Sequence, residues 1–528
     1  MPDAFQSSKR AALFSLSDKR GADVLARELH ERGVTIYATG GTRAFLVEAG
    51  VPARDVEDLT GFPALFGGRV KTLHPKVFGA ILYDRDDAEH VGQKDWYAIP
   101  SLDAIVVNLY PFEATIARDD ATLAEAIEQI DIGGVSLLRA AAKNYAQVAV
   151  LSHPSQYDAY VEELRTGVRS EPHRRRWAIA AFERTAEYDA AIAHYLAATQ
   201  GDTLPGELPG ALSLTLPLVQ RLRYGTNPQS RAAFYLDRPE RVPEQLHGKA
   251  LSYNNLLDLD ATLRLLSRAV PGAEIGSQPA RFVRAAVVKH TVPCGVAQRS
   301  NVGKAVRDAV EADAVSAFGG IVASDGVVDA EAATVLAPYF LEIVAAPGFT
   351  DDALAILRKK KNLRVMRYTP GLPDELAREL RVRSALGGIL AEDDDPAFAA
   401  EAWRVVSERQ PSAQEWHDLA FAWDVVRHVK SNGIVIASEG TTRGICAGQT
   451  NRVSAVQIAA HRAGDQAKGA ACASDGFFPF ADGLEAAAAA GCTAVIAPGG
   501  SVRDDEVIAA ANALGISLVF SSHRYFLH

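Results

Sequence analysis

Short apolar runs that end on small turn residues and then open a helical stretch constrain this chain more than any other feature. Residues 12–16 (ALFSL), 34–38 (VTIYA) and 494–497 (AVIA) are such runs; the second passes into Thr39-Gly40-Gly41-Thr42 and the third into Pro498-Gly499-Gly500-Ser501. Apolar and β-branched runs bounded by turn signals read as buried strands. Strand, turn and helix in that order make a parallel βαβ layout, so the predicted class is α/β. Such a layout favours one kind of site. The first amides of a helix lack internal partners, and glycines in the preceding turn let the backbone approach an anion closely.

At 528 residues the chain exceeds what one core can bury, and roughly two to four domains are expected. The formal net charge of −10 argues against a general nucleic-acid binder and leaves room only for local basic pockets that take small phosphates. Residues 2–10 are polar, unlike a secretory signal, and no apolar run is long enough to span a bilayer. A cytoplasmic protein is expected, with neither membrane nor nucleic acid among its partners. Cys294, Cys446, Cys472 and Cys492 show no CxxC spacing, which fits reduced thiols. A zinc nucleobase deaminase needs P-C-x-x-C, but Pro293-Cys294 is followed by Gly295-Val296-Ala297, so no zinc is expected.

Taken in order, Ser17 or Asp18 is the predicted N-cap of a helix over residues 19–32. Gly67-Gly68-Arg69-Val70-Lys71-Thr72-Leu73-His74-Pro75 gathers two cations, a hydroxyl and an imidazole behind a glycine pair, unusually rich in anion-binding groups for so acidic a chain. A strand over residues 104–109 ends at Tyr110-Pro111-Phe112. Asp131 and Lys143 flank a helix that Gly133-Gly134 initiates; singly, each reads as a cap or a solvated charge. Arg174, Arg175 and Arg176 read as the solvated start of a helix over residues 177–199. Residues 200–210 (QGDTLPGELPG) break all periodicity and mark the best domain boundary.

The second part opens at Leu222-Arg223-Tyr224-Gly225-Thr226-Asn227-Pro228. Asn254 and Asn255 read as turn and capping residues before a helix from about residue 259 to 270. In Val287-Val288-Lys289-His290-Thr291-Val292-Pro293-Cys294-Gly295 a strand ends on a cation and an imidazole, and Pro293 and Gly295 favour a turn. Strand ends are where open α/β sheets place ligands, although a lone Lys-His pair is also what a satisfied histidine beside a surface lysine looks like. Another α/β unit is expected from about Pro370, with a strand over residues 386–390 and a solvated acidic loop over residues 392–395. A helix over residues 416–429 leads to Lys430-Ser431-Asn432, Arg452 opens a helix, an aromatic loop over residues 473–480 precedes Asp482, and a last βαβ unit precedes Arg524-Tyr525-Phe526-Leu527-His528.

The segments FSLSDK, TGGT, GGRVKTLHP, NLYPF, EQIDIGGVSLLRAAAKN, LRYGTNP, LSYNNLLDLDA, VKH with PCGVA two residues on, DAVSAFGGIVA, VKSN, GICAGQTNR, ASDGFFPF and APGGS cover nearly the whole chain. In this order they resemble the bifunctional purine-biosynthesis family that combines AICAR transformylase with IMP cyclohydrolase. The resemblance implies a methylglyoxal-synthase-like parallel-sheet domain over residues 1–200. It also implies a transformylase region over residues 201–528, built of two cytidine-deaminase-like subdomains with a break near 370. The implied chemistry is formyl transfer from 10-formyltetrahydrofolate to AICAR, then dehydrative ring closure of formyl-AICAR to IMP.

Carried over by position, Ser15, Ser17, Lys19, Thr39, Gly40, Gly41 and Thr42 match the phosphate-binding side. Arg69, Lys71, Thr72, Tyr110, Asp131 and Lys143 match the ring-closure site, with no one of them singled out as the base. Lys289 and His290 match the formyl-transfer centre, Asn432 an amide near the transferred formyl group, and Arg223, Tyr224 and Arg452 nucleotide contacts. Phe477, Asp482, Arg524, Phe526 and His528 match a site completed in a homodimer. The resemblance leaves a structural monovalent cation open. Two positions depart from the family's pattern: Gln229 stands where His is common, and Val292 where Asn usually precedes the proline. The competing readings are a cysteine-nucleophile amidohydrolase built on Cys294 near His290 and a ligand-sensing regulatory module.

Overall fold

The computed structural model describes residues 10–118, 120–199, 208, 210–212, 214, 216–267, 282–393 and 403–528. The chain divides into two compact units, Met1–Thr215 and Leu216–His528. Most of the predicted boundary segment over residues 200–210, the end of the helix predicted to reach residue 270, and the end of the acidic run over 392–395 lie outside the described residues.

In the first unit β1 (Arg10–Leu16), β2 (Thr35–Ala38), β3 (Arg54–Asp55), β4 (Ser101–Asn108) and β5 (Ala149–Leu151) form a parallel sheet in the order β3-β2-β1-β4-β5. The chain builds outward from β1 on one side, then returns to add β4 and β5 on the other. The crevice beyond the C-terminal ends of β1 and β4 is therefore the topological switch point, where such sheets bind ligands. β4 is buried at all positions but its last because helices cover both faces of the sheet, which is why it reads as a continuous apolar run.

Two expectations are corrected here. The first helix spans Ala22–Glu31, and neither Ser17 nor Asp18 caps it; its N-cap is Gly21 at φ +69°. Asn108 at the end of β4 accepts from the Ser17 and Asp18 amides at 2.6 and 2.9 Å and donates to the Asp18 carbonyl at 2.7 Å, holding this stretch as a loop. Arg174 is not solvated. It is buried inside the helix Glu171–Thr199 and donates to Glu163 on the helix Tyr157–Thr166 at 2.6 and 2.8 Å. Arg175 and Arg176 are exposed.

The second unit holds a twelve-stranded sheet. Its first half comprises β8 (Glu244–His247), β9 (Val283–Lys289), β10 (Val292–Arg299), β11 (Ile321–Ser324), β12 (Ile343–Ala346) and β13 (Arg364–Arg367). Its second comprises β16 (Arg404–Val405), β17 (Ile434–Ser438), β18 (Thr441–Cys446), β19 (Ala471–Ser474), β20 (Ala494–Pro498) and β21 (Ser517–Ser521). Read outward from the central β10–β18 pair, both halves follow one plan: a hairpin, an antiparallel neighbour, two more strands parallel to that neighbour, and an antiparallel edge strand. Ala286 and Val288 on β9 face the core that includes the helices Tyr253–Arg264 and Ala413–Val426, while Ala285 and Val287 face the helix Val302–Glu311. Gly295 and Gly444 occupy equivalent places in the two hairpins. A Cβ on either would come within 2.0 Å of a helix carbonyl oxygen, that of Ala309 or Ala459, so no larger residue fits without moving the helix. Two hairpins stand apart from the sheet, β6 (Leu218–Leu222) with β7 (Ala232–Tyr235) and β14 (Arg381–Ala385) with β15 (Gly388–Glu392).

Three local predictions shift. Pro293 and Gly295 lie in β10, interrupted there by a bulge, and the turn is His290-Thr291. The helix expected from residue 259 begins at Tyr253, because Ser252 and Asn255 form a capping box. Leu386-Gly387 is the turn between β14 and β15 rather than the start of a strand, with positive φ at both residues.

Candidate active sites

In the first unit a cavity of about 450 Å³ opens at the C-terminal edge of the sheet, lined by Ser15, Arg69, Lys71, Thr72, Tyr110 and Asp131 among others. Six residues singled out from sequence therefore share one cavity. Asp131 is the N-cap of the helix Ile132–Lys143, and its side chain accepts from the Gly134 amide at 2.6 Å. Its own amide donates to the Tyr188 hydroxyl at 2.9 Å. The glycines leave room for these side chains: a Cβ on Gly134 would lie 2.4 Å from the Asp131 carboxylate, and one on Gly133 would lie 2.7 Å from the Thr72 hydroxyl, so either would displace its neighbour. Burial pushes the Asp131 carboxyl above the ordinary carboxylate range, opposed by the Gly134 amide, the Lys71 cation and the Tyr110 amide. The cavity's other carboxylate, Glu128, is paired with Arg69.

The glycine-rich turn adjoins this cavity. Thr39 donates to Ser15 at 3.2 Å, which ties the end of β2 to the end of β1. Gly40 and Gly41 form the first turn of the helix Gly40–Glu48, and a Cβ on either would meet open space. Thr42 joins the helix to β1, accepting from the Leu16 amide at 2.9 Å and donating to the Leu16 carbonyl at 3.2 Å. Lys19 reaches back to the Ser17 carbonyl at 3.4 Å. Lys143 is exposed at the far end of the helix that Asp131 caps, about 18 Å along its axis at 1.5 Å per residue, and does not line the cavity.

In the second unit Lys289 and Val292 pair across β9 and β10, leaving a two-residue connection, His290 and Thr291, at φ +56° and +59°. Positive φ at both positions is the signature of a type I′ hairpin turn. It costs an ordinary L-residue about 1–2 kcal/mol. The turn projects His290 into solvent, and Lys289 Nζ donates to the Phe318 carbonyl at 2.7 Å. Because β10 and β18, β17 and β18, and β17 and β19 all run antiparallel, this turn lies at the same end of the sheet as Asn432, Gln449 and Asp475. That end is also the C-terminal edge of β19, β20 and β21, so the turn of one half faces the ligand-binding edge of the other.

Around Asn432 the polar groups interlock. Its Nδ2 donates to the Gln449 carbonyl at 2.8 Å, and its Oδ1 accepts from Arg452. Buried Arg452 also donates to Ser474 at 2.7 Å and to fully buried Asp475 at 2.6 Å, while Ser431 donates to the other Asp475 oxygen. Phe526 packs close by: a Cβ on Gly476 would lie 2.6 Å from its ring and 2.7 Å from the Arg452 guanidinium. The Arg524 guanidinium stands 4.7 Å from the Phe526 ring centroid, and the His528 ring 6.3 Å from it. A cavity of about 540 Å³ reaches from Thr291 and Pro293 to Lys430 and His528; Lys289, His290 and Asn432 are not in its lining.

The remaining candidates are more dispersed. Phe477 is exposed in the aromatic loop, whereas Phe478 is core, and Asp482 is exposed at the start of the helix Asp482–Ala489. Arg223 is exposed over the Tyr224 ring at 5.6 Å, in a loop fastened by Asn254, which donates to the Thr226 carbonyl at 3.3 Å. Gln229 is exposed in that loop, and Val292 is half-buried opposite Lys289. Sequence reasoning passes over Asn108, Gln449 and Asp475, whose partners lie far away in the chain. Among the described residues no three His, Cys, Asp or Glu side chains come together as a metal site, and no helix is long and apolar enough to cross a membrane.

Comparison with known proteins gives one consistent result. The family profile described as "AICARFT/IMPCHase bienzyme" matches residues 141–462, and that of the "MGS-like domain" matches residues 21–136. Three relatives carry the description "Bifunctional purine biosynthesis protein PurH". That of Anoxybacillus flavithermus is 47% identical, covering 98% of this chain and 100% of its own. That of Prochlorococcus marinus is 48% identical over 98% and 99%, and that of Synechococcus elongatus 48% over 98% and 100%. A solved structure titled "Crystal structure of ForH" aligns with 36% of this chain and 98% of its own at 34% identity, with a TM-score of 0.34.

Proposed function

The chain belongs to the AICARFT/IMPCHase bienzyme family, and from that membership we propose how its two units divide the chemistry. It is a bifunctional enzyme of purine biosynthesis, AICAR formyltransferase and IMP cyclohydrolase. We assign ring closure to a domain over residues 1–200 and formyl transfer to residues 201–528, the latter as two cytidine-deaminase-like subdomains. The doubled plan of the twelve-stranded sheet supports the two-subdomain reading. Cytoplasmic location and a homodimer belong to the same proposal. A second copy would complete the transformylase site, and the exposed Val382, Leu386, Ile389 and Leu390 of the β14–β15 hairpin offer an apolar surface for it. A structural monovalent cation also belongs to it.

One observation carries the ring-closure assignment: Asp131, Lys71 and Tyr110 line a single cavity with the anion-binding groups Arg69 and Thr72. Ring closure joins the carboxamide nitrogen of formyl-AICAR to its formyl carbon and expels the formyl oxygen as water. Asp131, whose carboxyl burial makes more basic than an ordinary carboxylate, takes the amide proton. Lys71 and Tyr110 supply hydrogen bonds and protons to the departing oxygen. The cavity's largest contribution is to hold the two arms of one molecule together. Lys143 is left outside these transfers by its distance along the helix.

In formyl transfer the AICAR amine attacks the formyl carbon, and the bond from that carbon to folate N10 breaks. His290 removes the amine proton and delivers it to N10 as tetrahydrofolate leaves, while Lys289 donates to the oxygen on which charge develops in between. Lys289 keeps two further N–H donors beyond its bond to Phe318. Asn432 is held by Arg452 and Gln449 with its amide plane fixed, which suits it to orient the formyl group. Purified protein given AICAR and 10-formyltetrahydrofolate is expected to release tetrahydrofolate and form IMP. Folate release without IMP would remove the ring-closure activity, and neither product would remove the whole reading.

The cysteine-nucleophile alternative fails on burial. Cys294 is half-buried in β10 against the core, and burial pushes its thiol up to about 12, away from the thiolate that a nucleophile needs. Cys294→Ala is expected to leave both activities intact in a steady-state assay; a folded, inactive variant would reinstate the thiol.

A further inference from the structure

The turn that carries His290 is clamped from outside the hairpin. The Thr291 amide donates to Asp258 Oδ1 at 2.7 Å, across 33 residues, from the helix Tyr253–Arg264. Both turn residues sit at positive φ, and Thr291 is β-branched, a residue type that resists this conformation. A hydrogen bond to the second turn residue therefore holds the backbone where the side chain alone would not keep it.

The second half of the sheet repeats the device. The β17–β18 hairpin also turns through two residues at positive φ, Glu439 and Gly440, and the Gly440 amide donates to Asp418 Oδ1 at 3.0 Å. Both aspartates stand six residues after a serine N-cap, Ser252 or Ser412, whose capping box is closed by Asn255 or Glu415. The two clamps differ in what they hold. The second turn has a glycine at the amide-donating position and lacks the Lys-His pair. The first holds a threonine in the same strained place and presents Lys289 and His290.

We propose that Asp258 is a positioning residue for formyl transfer, fixing through the Thr291 amide the turn conformation that aims His290. This rests on the assignment of formyl transfer to Lys289 and His290. The Asp258 oxygen is needed as a hydrogen-bond acceptor, and its charge is incidental. Asp258→Asn retains that acceptor and Asp258→Ala removes it.

The test compares the wild-type protein with both variants for formyl transfer and for hydrogen exchange at the Thr291 amide. Asp258→Ala is expected to lower kcat for formyl transfer by more than about tenfold, on the scale of a misplaced catalytic group. The KM for AICAR and ring closure of supplied formyl-AICAR should hold, and Thr291 exchange should speed up. Asp258→Asn should restore kcat and slow exchange. An unchanged kcat in Asp258→Ala, or an Asp258→Asn variant as slow as Asp258→Ala, would overturn the proposal. If the wild-type protein transfers no formyl group, the functional assignment fails instead. Thr291 exchange that does not respond to Asp258→Ala would then refute the clamp separately.

Discussion

Replacing His290 by alanine is expected to stop tetrahydrofolate release from AICAR and 10-formyltetrahydrofolate, while ring closure of supplied formyl-AICAR continues at the wild-type rate. A positioned general base contributes about 10²–10⁴ in rate, and the AICAR amine, conjugated with its ring, is a poor nucleophile that depends on one. His290 is exposed at a hairpin tip, so its removal leaves the packed core intact and the loss would not reflect unfolding. The residues proposed for ring closure lie in the other unit, on a different sheet. Loss of both activities in a folded protein would contradict separate sites.

The second large effect concerns Asp131. Asp131→Asn is expected to reduce ring closure by the same order, about 10²–10⁴, and to leave formyl transfer unchanged. It also has a stability signature of definite sign. Burial raises the folded-state pKa of Asp131 above its unfolded value. The carboxyl therefore contributes stability that is present in acid, below the unfolded pKa, and is lost as pH rises through the folded pKa. Asparagine keeps an oxygen for the Gly134 amide and never ionises. Thermal melts should show the variant more stable than wild type at neutral pH, with the difference vanishing in acid. A variant less stable at neutral pH would mean that the ionised carboxylate is held favourably and that burial does not dominate.

How much of the molecule is legible in its sequence depends on how far the decisive contacts reach. The parallel pairing of β1 with β2 is readable because the apolar runs over residues 12–16 and 34–38 each close on turn residues that lead into a helix. The residues proposed for ring closure are readable because Arg69, Lys71 and Thr72 are consecutive or nearly so, and Asp131 precedes a glycine pair of which Gly134 closely approaches its carboxylate. Asn108 is not readable as the loop's anchor because its partners, Ser17 and Asp18, lie 91 and 90 residues away. Arg174 reads as a solvated charge because nothing local points to Glu163. The Lys289-His290 turn reads as if centred on Pro293 and Gly295 because His-Thr is not a usual type I′ pair, and the contact that stabilises it comes from another helix. The structure offers no account of Val292 opposite Lys289.

The central claim is that two independent sites in one chain perform consecutive reactions. It is tested most directly by mixing the two inactive proteins. Neither His290→Ala nor Asp131→Asn alone should convert AICAR and 10-formyltetrahydrofolate to IMP. The mixture should do so, because formyl-AICAR made by the Asp131→Asn protein can be closed by the His290→Ala protein. A mixture of folded variants that forms no IMP, while each still performs its remaining step alone, would contradict the account.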